Sequence, residues 1–96
     1  MTYAVAATWR AKEGEEEALL GILAEAVPKF RAEPACRMFV AHRSTEDPRR
    51  FLLYEQYDDE AGFQAHVAGE AFATHILGDA VARLEDRQRA TYETLD

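Results

Sequence analysis

The order of elements along this chain predicts an α+β protein of the ferredoxin-like, split βαβ class, with a four-stranded antiparallel sheet and helices on one face. Three observations carry the prediction. Thr2 to Arg10, Cys36 to Arg43 and Phe51 to Tyr57 consist of strand-compatible residues in alternating sets. From Glu15 the apolar positions Leu19, Ile22, Leu23, Ala26, Val27 and Phe30 keep the three-and-four spacing of an amphipathic helix. Ser44 to Arg49, STEDPR, has the turn chemistry that joins two antiparallel strands.

In the first strand Tyr3, Val5, Ala7 and Trp9 oppose Ala4, Ala6 and Thr8, and Lys12 to Gly14 is a turn. Glu15, Glu16 and Glu17 open the helix, where the positive end of its dipole favours acids. Pro28 lies inside the pattern and predicts a kink, and Pro34 ends the helix because Glu33 before it is biased to extended geometry. On the second strand Cys36, Met38, Val40 and His42 oppose Arg37, Phe39, Ala41 and Arg43. Two short helices follow the third strand, about Asp59 to Val67 and Ala71 to Leu77, punctuated by Gly69 and Gly78. Ile76, Leu77, Ala80, Val81 and Leu84 extend a helical spacing past Gly78, and the last strand is about Arg87 to Leu95.

The chain of 96 residues makes one domain, and 48% apolar with 30% charged residues is an ordinary globular composition. A net charge of −7 argues against a nucleic-acid backbone or anionic membrane as partner. The single cysteine, Cys36, rules out an internal disulfide and suits a reducing cytoplasm. MTYAVAATWR lacks the basic start and apolar run of a signal peptide, and no apolar stretch approaches a membrane span. The expected location is cytoplasmic.

The chemistry concentrates in Phe51 to His66, FLLYEQYDDEAGFQAH. Phe51, Leu53, Glu55 and Tyr57 alternate with Leu52, Tyr54 and Gln56, so both faces of this strand are largely apolar or aromatic. Asp58 and Asp59 can cap the next helix, which brings His66 back to the aromatic strand. The segment reads as a lined pocket holding one group that titrates near neutrality. The expected walls are Met38, Val40, His42, Phe51, Leu53, Tyr54 and Phe72, with His66, Glu55 and Tyr57 as catalytic candidates. His66 is the base, Glu55 orients it or the substrate, and Tyr54 or Tyr57 donates to a developing oxyanion. Each has a plainer reading: His66 as a core histidine, Glu55 as the partner of Arg43 or Arg50, Tyr57 and Phe72 as packing. His75 and Arg83 read as exposed and Cys36 as a small buried hydrophobe. His66 and Glu70 are four apart, but Gly69 interrupts the helix and no third ligand follows, so no metal is expected. Nor does any glycine-rich phosphate loop or dinucleotide fingerprint occur.

The sheet should leave one face without helices, and neither the second nor the third strand offers a polar stripe for it. Met38, Val40, Phe51, Leu53 and Tyr57 are the expected outward set. Leaving such side chains wet forfeits about 1.5–3 kcal/mol each, so a second copy packed across the face is the simplest remedy.

The segments EPAC (Glu33 to Cys36), DPRRFLLYEQYDD (Asp47 to Asp59) and AGFQAH (Ala61 to His66) resemble the antibiotic biosynthesis monooxygenase family. The resemblance runs from Val5 through the last strand and rests on the order and spacing of these pieces. It implies a homodimer forming a dimeric α+β barrel, with a pocket in each subunit. It also implies a cofactor-free monooxygenase acting on a quinol, phenolic or anthrone-type aromatic, although the family also includes haem-degrading enzymes and isomerases. This chain has Ala35 where the family often has Gly and Tyr57 where it often has Trp. The haem-degrading pattern needs an Asn on the first strand and a Trp on or after the third. Neither is present, which argues against haem. A non-oxidative isomerase of a small carbonyl metabolite, or a binding module without turnover, would need the same pocket.

Overall fold

The computed structural model describes residues 1–96. In order they form β1 (Tyr3–Ala11), α1 (Glu16–Arg31), β2 (Cys36–Arg43), β3 (Arg50–Tyr57), α2 (Glu60–Ala68), a π-helical turn (Phe72–Leu77), a 3₁₀ turn (Ala80–Arg83) and β4 (Leu84–Glu93). The strands make one antiparallel sheet in the order β2-β3-β1-β4, with the first and third strands at its centre. This is the split βαβ arrangement. No helix is long and apolar enough to cross a membrane.

The core lies between one face of the sheet and the helical segments. The whole apolar stripe of α1, Leu19 to Phe30, is buried against Ala7, Trp9, Phe39, Phe51 and Leu53, and Phe72 and Ile76 close it. α1 runs through Pro28 and ends at Arg31, where the Ala32 amide donates to the Pro28 carbonyl at 3.2 Å.

Register decides what each strand buries. Phe39 lies opposite Glu55 and Ala41 opposite Leu53, whereas Val40 lies opposite Tyr54, His42 opposite Leu52 and Met38 opposite Gln56. Paired residues share a face. The inner face therefore carries Phe39, Ala41, Phe51, Leu53, Glu55 and Tyr57, and the outer face Met38, Val40, His42, Leu52, Tyr54 and Gln56. Phe51, Leu53 and Tyr57 are at most 3% exposed, against 41% for Met38 and 37% for Leu52. This corrects the expected outward set, which mixed the two faces. A register shift between Cys36 and Met38 separates the start of β2 from the rest of the ladder.

Two boundaries also differ from expectation. β4 begins at Leu84, because the helical spacing past Gly78 ends in the 3₁₀ turn. The second short helix is wound as a π turn, with the Gly78 amide donating to the Ala73 carbonyl five residues back at 2.8 Å. Gly62 is required by packing: a Cβ there would lie 2.6 Å from that of Ala35. The alanine at 35 fits because residue 62 has no side chain.

Candidate functional site

Asp59 begins α2 in extended geometry, and its Oδ1 accepts from the Gly62 amide at 2.8 Å. Asp58 does not cap; it pairs instead with Arg37 at 2.7 Å. Two turns beyond this cap, α2 delivers His66 into the interior, where it is 3% exposed. Phe30 and Phe72 meet its ring edge-on, at centroid distances of 4.6 and 5.2 Å. Its Nδ1 lies 2.8 Å from Glu33 Oε1, and its Nε2 lies 3.8 Å from Glu55 Oε1. The Tyr57 hydroxyl donates to the same Glu55 oxygen at 2.7 Å. Glu33, His66, Glu55 and Tyr57 thus form a line from half-buried to fully buried.

Glu33 reaches this line because the chain leaves α1 just before it. The Glu33 amide still donates to the Phe30 carbonyl at 3.1 Å, and the Glu33 carbonyl accepts from the Cys36 amide at 3.0 Å across a turn at Pro34 and Ala35. The plainer reading of Glu55, as a partner of Arg43 or Arg50, does not hold: its oxygen is occupied by Tyr57, and Arg43 donates to the Pro48 carbonyl.

Burial sets the protonation states. Desolvation raises the Glu55 carboxyl to about 7, against the opposing pull of the Tyr57 hydrogen bond and the Arg89 charge. Desolvation lowers His66, and the hydrogen bond and charge of Glu33 only partly offset it. Burial, then the charge and hydrogen bond of Glu55, raises the Tyr57 phenol. Near neutral pH the imidazole is therefore uncharged. Its Nδ1–H donates to the Glu33 carboxylate, which leaves Nε2 as a bare acceptor facing a carboxyl near half protonation.

A stability prediction follows from Glu55. Its folded pKa lies above its unfolded one, so the fold binds the extra proton and loses stability as pH rises from about 4.5 to 7. Glu55→Gln removes that loss while keeping an acceptor for Tyr57. The variant should exceed the wild type at pH 8 by on the order of 2–3 kcal/mol and converge with it below pH 4, in denaturant titrations. His66 acts with the opposite sign, since its lowered pKa costs stability as pH falls below its ordinary range.

The site faces a small cavity of about 30 Å³, room for about two waters. Its walls come from Trp9, Phe30, Phe39, Leu53, Phe63 and Phe72, with Glu55 and His66 among them and Arg87 and Arg89 at one end. Of the expected walls, Leu53 and Phe72 line it. Phe51 is buried in the core beyond its lining, and Met38, Val40, His42 and Tyr54 lie on the opposite face of the sheet. Tyr57 sits beyond Glu55 without reaching the cavity, so neither Tyr54 nor Tyr57 can offer a proton to an oxyanion there. His42 Nδ1 lies 3.1 Å from the Leu52 carbonyl, and Cys36 is half-buried with its thiol toward the Met38 carbonyl. Arg83 is not free, being paired with Glu15 and Asp79. No group of three metal-ligating side chains is assembled.

Glu33, Arg87 and Arg89 are not among the site residues expected from the sequence. Glu33 carried one signal, a carboxylate before a proline at a helix end. The arginines carried another, an Arg-x-Arg repeat that puts both on one strand face.

A family model described as antibiotic biosynthesis monooxygenase matches residues 2–76. Protein SO0527 from Shewanella oneidensis is 30% identical over 95% of this chain and 88% of its own, with a TM-score of 0.86. PA3566 from Pseudomonas aeruginosa is 27% identical over 99% and 95%, with a TM-score of 0.92. A third structure, an antibiotic biosynthesis monooxygenase, is 25% identical over 98% and 99%, with a TM-score of 0.89. No curated protein matches the chain.

Proposed function

Because this chain belongs to the antibiotic biosynthesis monooxygenase family, we propose that it is a cytoplasmic, homodimeric monooxygenase that oxidises a phenolic, quinol or anthrone-type substrate with O₂ and needs no bound cofactor. The supporting observation is an uncharged, buried His66 whose free nitrogen faces the Glu55 carboxyl across 3.8 Å inside an aromatic cavity.

His66 Nε2 removes the substrate proton, and the imidazolium that forms is held by Glu33 through Nδ1–H. The substrate anion gives one electron to O₂. Superoxide and the substrate radical join in a C–O bond, and the peroxide takes the proton back from His66. Loss of a second proton from the same carbon breaks the O–O bond, leaving a carbonyl and releasing water. The sum is R₂CH₂ + O₂ → R₂C=O + H₂O. Protonated Glu55 is the donor nearest to His66 for the oxygen anion.

A single aromatic ring needs roughly 150 Å³, so this narrow cavity must widen to admit it. Phe72 and Ile76 of the π turn, with the exposed Arg87 and Arg89, are the wall that can yield.

Aerobic incubation with a panel of quinols, phenols and anthrones should consume one O₂ per product. With ¹⁸O₂, one labelled atom should enter the product and one the water. No uptake with any member overturns the reading. The small cavity and its acid–base pair also suit a non-oxidative isomerase of a carbonyl compound, which strict anaerobiosis would leave active.

A further inference from the structure

We propose that Arg87 and Arg89 form an anion site at the mouth of the cavity and that its ligand is an aromatic acid, with the ring inside and the carboxylate held on the two guanidinium groups. Calling that ligand the substrate rests on the oxygenase reading; the site itself does not.

Most arginines of this chain are paired. Arg10, Arg37, Arg43, Arg49 and Arg83 each hold a carboxylate, and Arg31 holds the Phe39 carbonyl. Arg87 and Arg89 have no hydrogen-bond or ion-pair partner, although acids outnumber bases in this chain, 18 to 11; Arg50 also lacks one, but it lies on the outer face of β3, away from the cavity. Their cross-strand neighbours on β1 are Trp9 and Ala7, which offer no charge. Two residues apart on β4, they point to one side, roughly 7 Å apart along the strand. The Arg89 guanidinium lies over the Phe63 ring at 5.0 Å, a contact that holds it at the cavity rim.

Both arginines, with Gln88, also line a second, open cleft, so they form the partition between cavity and solvent. Two adjacent cations repel, and Arg87 is pushed down by desolvation of its guanidinium and then by the charge of Arg89. A bound anion relieves this. Planar guanidinium forks match a carboxylate in two-point geometry. The inner wall is apolar and aromatic apart from Glu55 and His66, and a carboxylate beside Glu55 would be repelled. The charged end of the ligand must therefore stay at the arginines.

The same charge reaches the interior: Arg89 lowers both Glu55 and His66. A carboxylate neutralising Arg89 raises both, making His66 a stronger base once the ligand is seated.

The test is calorimetric binding under nitrogen of 4-hydroxybenzoate and 1-hydroxy-2-naphthoate, each against its own carboxamide. Each acid should bind at least tenfold more tightly than its amide. Arg87→Gln/Arg89→Gln should reduce that ratio below twofold, with circular dichroism verifying its fold, and Arg89→Lys should give an intermediate ratio. Equal binding of acid and amide, no binding of either, or a ratio that survives in the double variant overturns the proposal. Should the double variant fail to fold, Arg89→Lys decides it: an unchanged ratio refutes the site. Discriminating binding without oxygen uptake in air would leave the anion site standing and sink the oxygenase reading alone.

Discussion

Leu53→Asp should leave no folded protein at any concentration, whereas Tyr54→Asp, one residue along, should leave a folded subunit that no longer pairs. Leu53 is 3% exposed and packs in the main core. Truncating a buried leucine costs about 2–5 kcal/mol, and a carboxylate in its place adds an unpaired buried charge costing several more. That sum is comparable to the whole stability of a small domain, about 5–15 kcal/mol and toward the low end for a thin core. Tyr54 occupies the other face of the same strand. Its cross-strand neighbours there are Ala6 and Val40, and beside it lie Leu52 and Met38, the former 37% and the latter 41% exposed. On β4, Ala90 and the 57% exposed Tyr92 extend this face. A charge at its centre spoils the proposed homodimer while leaving the core intact.

Light scattering should report two subunits for the wild type and one for Tyr54→Asp at micromolar concentration. The wild-type melting temperature should climb with concentration, as coupling between pairing and folding requires. A wild-type mass of one subunit with the fold intact refutes the pairing. A folded Leu53→Asp refutes the assignment of faces.

That contrast locates the boundary of what the residues disclose. The helix over Leu19 to Phe30 and the cap at Asp59 were legible because a three-and-four stripe and an acid before a helix each have one physical meaning. The inner face of β3 was not, since Phe51, Leu53 and Tyr57 are as apolar as Leu52 and Tyr54. When both sides of a strand look buried, alternation separates two sets without saying which meets the helices. Only pairing with β2 decides, and the ladder's irregularity near Cys36 lies outside any local pattern. The π turn was hidden because its winding differs by one residue from an α-helix that the same letters would permit. In the site, His66 and Glu55 could be singled out as the titratable groups on an aromatic background. Glu33 meets His66 across 33 residues of sequence, and that Arg87 and Arg89 stay unpaired beside the cavity is visible only once the fold has placed the acids elsewhere.

His66→Ala should reduce kcat by about 10²–10⁴, the usual contribution of a positioned base. Because His66 is buried among aromatic rings, alanine also opens a hole. His66→Gln keeps more of the volume, and its loss of kcat with an unchanged circular dichroism spectrum separates chemistry from packing. Glu33→Gln gives the sharper test. Glu33 raises the His66 pKa through its hydrogen bond and charge, so its neutral replacement must let that pKa fall further. The wild-type kcat/KM profile should fall on the acid side as His66 protonates. It should also fall on the alkaline side near 7, as Glu55 loses the proton it offers the oxygen anion. The apparent values belong to the coupled pair. In Glu33→Gln the acid limb should move to lower pH, with kcat about tenfold lower because the imidazolium has lost its counter-charge. A merely structural Glu33 would lower stability without moving that limb. If the acid limb stays in place and His66→Gln keeps kcat within threefold of the wild type, the base lies elsewhere in the cavity. Glu55 would then be its only remaining carboxyl candidate.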